Sequence, residues 1–313
     1  MNKFIVQIKD EGGRLDKFLV RKFPRYSRSH LQKNIKRGGV TINGESKNSP
    51  DYGLKAGDII EADIKPLEMV SLTPDKTIPL DIVHEDDDLL VINKRAGIAV
   101  HAGVGRTKNN LVNALIAHYP EIKEVGDDKT RPGIVHRLDK DVSGLMMVAK
   151  NNKSFEYLKS LFKERKIEKN YLALAWGKFK KEEGRVDYPI AMNPRDPRKM
   201  VAVQNRNEEL LARAKPALTE YKVIKQFDNT AYIKVYLRTG RRHQIRVHFK
   251  SIGHPLVNDR FYGYRKQRFL GSGRLFLHAS KLSFISPHGK KLSFTSQLPK
   301  DLQKILDAVM SNV

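Results

Sequence analysis

Residues 133–150, GIVHRLDKDVSGLMMVAK, join two features that any fold of this chain has to reconcile. The consecutive apolar residues 145–149 read as a buried strand. Directly before them His136, Arg137, Asp139, Lys140 and Asp141 crowd a loop that turns at Ser143 and Gly144. The loop therefore delivers a carboxylate to a strand edge. Cations lie on both sides of Asp139 in sequence and favour its ionised form where they stay close. An ionised aspartate on a rigid element suits a nucleophile or a general base. A surface loop whose charges pair with one another satisfies the same local pattern, so the rest of the chain has to choose.

Lysine and arginine outnumber aspartate and glutamate by 59 to 35, a formal charge of +24, while 40% of the 313 residues are apolar. The chain is thus globular and long enough for one large domain and one small one. Its charge calls for a polyanionic partner, because each neutralised phosphate releases counterions. An anionic membrane surface is the other such partner, but no basic amphipathic helix stands out. Cysteine is absent, which excludes disulfides and thiolate metal sites and fits a reducing cytoplasm. The ten histidines show no HExxH-like pairing, so no dedicated metal site is expected. Charges interrupt the first residues, MNKFIVQIKDEGGRLD, every few positions, leaving neither a signal-peptide core nor a membrane span. A cytoplasmic protein is expected.

The first residues form a small module. Residues 2–9 alternate like a short strand and Gly12 and Gly13 break it. Leu15, Phe18, Leu19 and Phe23 recur at helical spacing, with Lys17, Arg21 and Lys22 outside and Pro24 as the stop. Ser27 or Ser29 caps a second helix that turns Leu31 and Ile35 inward and ends at Gly38 and Gly39. A strand at 40–43 follows, with Asn43 and Gly44 as a hairpin turn. Residues 21–37 hold seven lysines and arginines and no acid, with Tyr26 and His30 among them to stack or hydrogen-bond. This helix, helix, hairpin order, with VTINGE and the later KAGDII at 55–60, resembles the small RNA-binding module of ribosomal protein S four across residues 12–64. Arg25, Arg28, Lys33, Lys36 and Arg37 are then the expected phosphate contacts. A DNA-binding helix-turn-helix and a merely solvated basic hairpin are the alternatives.

Three prolines and little periodicity mark 65–80 as a connection, which divides the chain into an RNA-binding module at 1–66, a linker at 67–79 and a large domain at 80–313. In the large domain, 81–93 reads as strand, acidic turn, strand, and 94–103 as a glycine-bearing loop. Helices are expected at 111–119 and over the stretch where Phe155, Leu158, Leu161 and Phe162 form an inner face, with a short strand beginning at Tyr171. Residues 177–215 are rich in glycine, proline and charge and suit an extended loop or hairpin over a substrate, or a solvated connection. Strands at 219–224 and 231–237, and two more within 279–294, complete the pattern. LRTGRRHQIRVHFKSIGHPLVND turns at Thr239 and Gly240 into a helix closed by Gly253, with Arg242 and Arg246 on one face and Ile245 and Phe249 packed inward. Strands outnumber helices without regular βαβ alternation. The expected class is α+β: a mixed, largely antiparallel sheet flanked by helices, behind a small α/β module.

Four fragments in series carry more than any one alone. HRLDKDVSGL at 136–145, KNYLAL at 169–174, LRTGRRHQIRVH at 237–248 and GHPLVND at 253–259 together resemble the RluA-type pseudouridine synthases, in order and spacing, over residues 80–305. INKRAGIAVHAG at 92–103, LHAS at 277–280 and QLPKDL at 297–302 fit the same pattern. The resemblance implies that a uridine in RNA has its base detached, rotated and rejoined through carbon five, without cofactor or metal. It makes Asp139 the catalytic aspartate, which attacks the sugar, attacks the uracil ring or assists proton removal at the sugar. It makes Arg246 the ion-pair partner of Asp139, and Tyr171 the ring that stacks on the extruded base or serves in late proton removal from carbon five. Arg137 and His136 are expected to steer a flanking phosphate or to fill the vacancy left by the base. The N-terminal module points to large-subunit ribosomal RNA. Asn109 and Asn110 stand where the family usually has Gly-Thr, and Val142 where it often has threonine. Residues 205–214 look like a local elaboration.

Two other functions compete. A non-catalytic RNA-binding or ribosome-assembly factor can keep the fold, but it has no need of Asp139, Tyr171 and Arg246 together. A retaining glycosidase needs a second carboxylate at close range, for which Asp141 is the candidate.

Overall fold

The computed structural model describes residues 1–26, 28–65, 72–101, 108–204, 208–266 and 269–311. Two compact units, Met1–Ser71 and Leu72–Val313, share the chain.

In the first unit β1 (Asn2–Ile5), α1 (Leu15–Lys22), α2 (Arg28–Lys36), β2 (Val40–Ile42), β3 (Glu45–Ser46) and β4 (Ile59–Ala62) follow in order. The four strands form an antiparallel sheet in the order β1-β4-β2-β3. Leu15, Phe18 and Leu19 from α1 and Leu31 and Ile35 from α2 are buried in one core with Val40, Ile42 and Ile60 of the sheet. Asn43 and Gly44 both take positive φ, 53° and 82°, as a tight two-residue hairpin turn between β2 and β3 requires. Ser29 lies inside α2 and so is not its cap, while Ser27 lies outside the described residues.

Asp16 joins the two helices. It is fully buried and takes hydrogen bonds from Arg14, Arg28 and Gln32. Burial alone raises a carboxyl pKa, but these donors hold Asp16 far below the usual carboxylate range.

The second unit contains β5 (Ile82–Glu85), β6 (Leu89–Lys94), α3 (Leu111–His118), β7 (Ser143–Ala149), α4 (Asn152–Lys163), β8 (Glu168–Trp176), β9 (Glu183–Val186), β10 (Ile190–Met192), β11 (Met200–Ala202), α5 (Glu208–Arg213), β12 (Thr219–Gln226), β13 (Thr230–Leu237), α6 (Gln244–Ser251), β14 (Leu277–Ile285), β15 (Lys291–Thr295) and α7 (Lys300–Met310). A nine-stranded sheet runs β5-β6-β7-β14-β8-β13-β12-β9, with β15 paired to β14. The β7–β14 pair is parallel and the others are antiparallel, the mixed sheet that the strand-rich pattern predicts.

All seven residues of β7 are buried, which is why its sequence is continuously apolar instead of alternating. In β8, Tyr171, Ala173 and Ala175 join the main core with α3, α4 and α6, while Leu174 packs with Phe276 and α7. The period of two in a strand sends these residues to opposite faces, so helices cover both.

Several expectations change. The strand expected to begin at Tyr171 starts at Glu168. Residues 177–215 supply an edge strand, the β10–β11 hairpin and α5. Helix α7 had no counterpart in the sequence reading. Arg242 and Arg246 do not share a helix face: α6 starts at Gln244, because His243 at its N-cap takes a left-handed backbone conformation (φ 56°, ψ 18°) that breaks the helix behind it. Asn109 also has positive φ, 59°, a left-handed conformation that asparagine tolerates better than most residues. Of 205–214, residues 205–207 lie outside the described residues and α5 spans most of the rest.

Candidate active site

The loop before β7 is pinned at several points. Gly144 has φ 118°, and a Cβ there would overlap the backbone of Ala279, so only glycine lets β7 and β14 meet in this register. Lys94, 3% exposed at the end of β6, donates its ammonium to the carbonyls of Arg95 (2.8 Å), Ile98 (2.9 Å) and Lys140 (3.2 Å). Gly97 N–H donates to the same Lys140 carbonyl at 2.8 Å. Burial draws the Lys94 pKa down to about 7 against the pull of Asp139 and Asp141. Val142 N–H closes a turn onto the Asp139 carbonyl at 3.1 Å.

These contacts aim Asp139 at Arg246 in α6. Arg246 Nη1 donates to Asp139 Oδ2 at 3.1 Å, while its Nε and Nη2 donate to Asp259 at 2.7 and 2.8 Å. The guanidinium also lies 5.4 Å from the Phe261 ring centroid and 5.2 Å from that of Tyr262. The N–H groups of Phe261 and Tyr262 donate to Asp259 Oδ1, fixing that carboxylate in turn. Burial opposes a charge on Arg246, but the hydrogen bonds and charge of Asp259 and Asp139 hold its pKa above the ordinary value. Asp139 keeps 17% of its side-chain surface exposed and Asp259 none, so Asp139 is the carboxylate a ligand can reach.

A pocket of about 120 Å³ opens on Asp139, lined by Leu138, Val142, Tyr171, Ile245 and Leu277 on its apolar side and by Arg137, Arg242 and His243 on its polar side. The phenol of Tyr171 has its pKa raised, first by burial and then by the charge of Asp139, so it stays protonated at neutral pH. His243 Nε2 stands 3.8 Å from Asp139 Oδ2, while its Nδ1 meets the Tyr262 hydroxyl at 2.8 Å. That hydroxyl accepts the N–H of Met200 at 2.8 Å, a link from the β10–β11 hairpin. With the phenol donating to Nδ1, the ring proton sits on Nε2 and faces Asp139. Burial lowers the His243 pKa to about 4, so the ring is neutral. Asp141 does not line this pocket; it lines a larger groove of about 1360 Å³ that shares Arg246 with it.

The structure brings Asp139, Tyr171, Arg246 and Arg137 together at this pocket. Arg137 is exposed there and makes no ion pair among the described residues. His136, expected at a flanking phosphate, is turned inward instead: its Nε2 accepts the N–H of Met147 at 2.9 Å and its ring packs 4.7 Å from that of Phe162. Arg242 extends to the carbonyls of Pro197 (3.2 Å) and Arg198 (2.7 Å) in the hairpin loop. In the first unit Arg25, Lys33, Lys36 and Arg37 are exposed with no ion pair among the described residues. Arg28 is committed to Asp16 at 3.0 Å, a structural bond that removes it from the free cations. Tyr26 and His30 stack on each other at 5.0 Å.

Asp259, His243, Tyr262 and Lys94 received no role in the sequence reading. Their motifs were visible, but nothing local tells which residue a buried arginine or histidine will face. Among the described residues no group of three or more His, Cys, Asp or Glu is placed to hold a metal ion, and no helix is long and apolar enough to cross a membrane.

A family model described as RNA pseudouridylate synthase matches residues 88–251, and one described as S4 domain matches residues 13–60. An uncharacterized RNA pseudouridine synthase of Aquifex aeolicus is 42% identical over 261 residues, 83% of this chain and 79% of its own. A ribosomal large subunit pseudouridine synthase D of Yersinia pestis is 38% identical over 313 residues, 96% and 92% of the two chains. The solved structure of human RNA pseudouridylate synthase domain containing 1 superposes with a TM-score of 0.56 at 25% identity, covering 76% of this chain and 97% of that one. The chain belongs to the RluA-type RNA pseudouridine synthases with an S4 RNA-binding domain.

Proposed function

We propose that this chain converts specific uridines of large-subunit ribosomal RNA to pseudouridine in the cytoplasm. In this reading residues 1–66 bind structured RNA, residues 67–79 link the two parts, and residues 80–313 carry out the isomerisation with Asp139 as the reacting carboxylate. The observation that carries it is the reachable Asp139 carboxylate, bound to Arg246 at 3.1 Å at the edge of a pocket walled by Tyr171. Relatives named ribosomal large subunit pseudouridine synthase D, 37–38% identical across more than nine tenths of this chain, support the choice of RNA.

The reaction is an isomerisation, so its atoms balance without a co-substrate. The bond from the ribose to the uracil nitrogen breaks, a bond to carbon five forms, the proton on carbon five leaves to solvent, and the freed ring nitrogen takes up a proton. Each route open to Asp139, attack on the sugar, attack on the ring or removal of a sugar proton, starts from the carboxylate, and Arg246 holds a positive charge beside it. Extruding the uridine costs stacking, which a pocket with an aromatic wall offsets. Tyr171 offers its ring face to the base. Its raised pKa opposes a role as a base and leaves the phenol as a hydrogen-bond donor. Exposed Arg25, Lys33, Lys36 and Arg37 are the proposed phosphate contacts of the first unit, and Arg137 that of the pocket.

The test is tritium release from large-subunit ribosomal RNA labelled at carbon five of its uridines and prepared without this protein's activity. Release that stops at a defined number of sites, mapped by carbodiimide-dependent primer-extension stops, is expected. Retention of all label overturns the proposal.

A further inference from the structure

Six cationic side chains and three carboxylates line the groove of about 1360 Å³ that shares Arg246 with the Tyr171 pocket. Lys94 and Arg246 are committed to the carbonyls and carboxylates described above, and Arg274 to Asp301 at 2.7 Å. Arg95 after β6, Arg260 after the Asp259 anchor and Lys300 at the start of α7 are exposed and make no ion pair among the described residues. The carboxylates offset them little. Asp301 is held by Arg274, Asp81 accepts from Asn93 Nδ2 at 2.9 Å, and the charge of Asp141 acts on the buried Lys94 ammonium. Three cations are thus left over on one groove, which favours a polyanion.

An aromatic ring lies among them. Phe261 lines the groove and is 38% exposed. Its ring stacks on His243, with centroids 6.0 Å apart and planes 20° from parallel, and His243 in turn stands 3.8 Å from Asp139. His243 lines the Tyr171 pocket and Phe261 lines the groove, so the groove begins one stacked ring away from the reacting carboxylate. The Arg246 guanidinium, 5.4 Å from the Phe261 centroid, and the Lys199 ammonium, 6.0 Å from it, hold the ring in place.

An exposed ring among unpaired cations suits single-stranded nucleic acid, whose phosphates follow the cations while a base lies on the ring. A duplex keeps its bases stacked on one another and offers the ring no open face. The volume exceeds the range of about 300–1,000 Å³ usual for a small-molecule site and suits a length of chain. We propose that this groove holds the unpaired nucleotides on one side of the target uridine, with a base stacked on Phe261 and phosphates on Arg95, Arg260 and Lys300. The proposal rests on the RNA-modifying reading given above and adds a preference for uridines with a single-stranded flank.

The test titrates full-length protein into a short single-stranded RNA with uridine at its centre and 2-aminopurine, whose fluorescence reports stacking, on either side of it in turn. A change that saturates at one of the two positions is expected. Phe261→Leu should lose that change together with about tenfold in affinity, and Phe261→Tyr should keep both. Fluorescence unmoved by the wild-type protein, or a change that survives Phe261→Leu, overturns the stacking. The same RNA annealed to its complement should show no change, and an equal change overturns the preference for a single strand. Replacing Arg95, Arg260 and Lys300 together by glutamine should lower the slope of log affinity against log salt by about two, the value for three phosphates on a single strand. In tritium release the triple variant should raise KM about tenfold with kcat within about twofold. An unchanged slope and KM in the folded triple variant overturns the groove as the path of the strand. Fluorescence needs no turnover, so a response that depends on Phe261 without tritium release overturns the isomerase reading and leaves the groove standing. Tritium release with unmoved fluorescence does the reverse.

Discussion

Arg246 is bound more closely to Asp259 than to Asp139: two hydrogen bonds of 2.7 and 2.8 Å run to Asp259, and one of 3.1 Å to Asp139. The fully buried carboxylate thus anchors the guanidinium, and the partly exposed one receives what remains of it. Asp259→Asn should lower kcat about 10-fold to 100-fold with RNA affinity unchanged, and should cost about 1.5–3 kcal/mol of stability, the range for a charged hydrogen-bonded pair. Steady-state tritium release and urea unfolding measure the two effects. Wild-type kcat in this variant removes the anchoring role.

Asp139→Asn leaves Arg246 paired with Asp259, so no buried charge is orphaned. Turnover should fall by at least about 10³-fold while stability stays within about 1 kcal/mol. RNA binding, read by filter retention, should stay within about twofold. Multiple turnover by this variant excludes Asp139 as the reacting group.

Tyr262→Phe removes the hydroxyl that joins Met200 N–H to His243 Nδ1. Losing a buried hydrogen bond costs about 1–2 kcal/mol. His243 also becomes free to change tautomer, turning an acceptor instead of a donor toward Asp139. The expectation is a drop in kcat of about 3-fold to 10-fold at constant KM. A rise in KM alone indicates that the tyrosine serves only to seat the hairpin.

Gly144→Ala places a methyl group into the backbone of Ala279 at a φ of 118°. Strain and separation of β7 from β14 should together cost more than about 4 kcal/mol. Thermal unfolding should shift down by roughly 10 °C, or the protein should fail to accumulate folded. Unfolding at the wild-type midpoint means that the two strands part without penalty.

His136, His243 and His278 are held neutral by burial, with pKa values lowered from 6.5 to about 3, 4 and 4. Below pH 6.5 the unfolded chain binds protons that the folded chain refuses, so stability falls as pH drops from about 6.5 toward about 4 and gains nothing from these groups above 6.5. The loss should be on the order of 1 kcal/mol per histidine at about pH 5.5. Urea unfolding at about pH 7.5 and 5.5 measures it. Equal stability at both pH values means that these rings protonate in place.

Local chemistry made much of the fold legible. The spacing of Leu15, Phe18 and Leu19, the Asn43-Gly44 turn and the apolar run of β7 each report burial over a few neighbouring residues, which short-range sequence records well. The pocket residues were reached differently, through four motifs in fixed order, because Asp139 and Arg246 stand 107 positions apart and no local pattern joins them.

Motif order did not show which charges would be taken up inside the fold. Arg28 reads as a phosphate contact until Asp16 claims it, and His136 reads as a surface ligand until its ring accepts Met147 N–H. Asp259 reads as one more acid in a loop until Arg246 reaches it. Sequence alone determined the periodicities and the excess of cations, since these belong to residue types and their spacing. Tertiary structure decided the partner of each charge and the direction of each ring, because an ion pair forms between whichever groups the packed sheet and helices bring within about 3 Å, however distant in the chain.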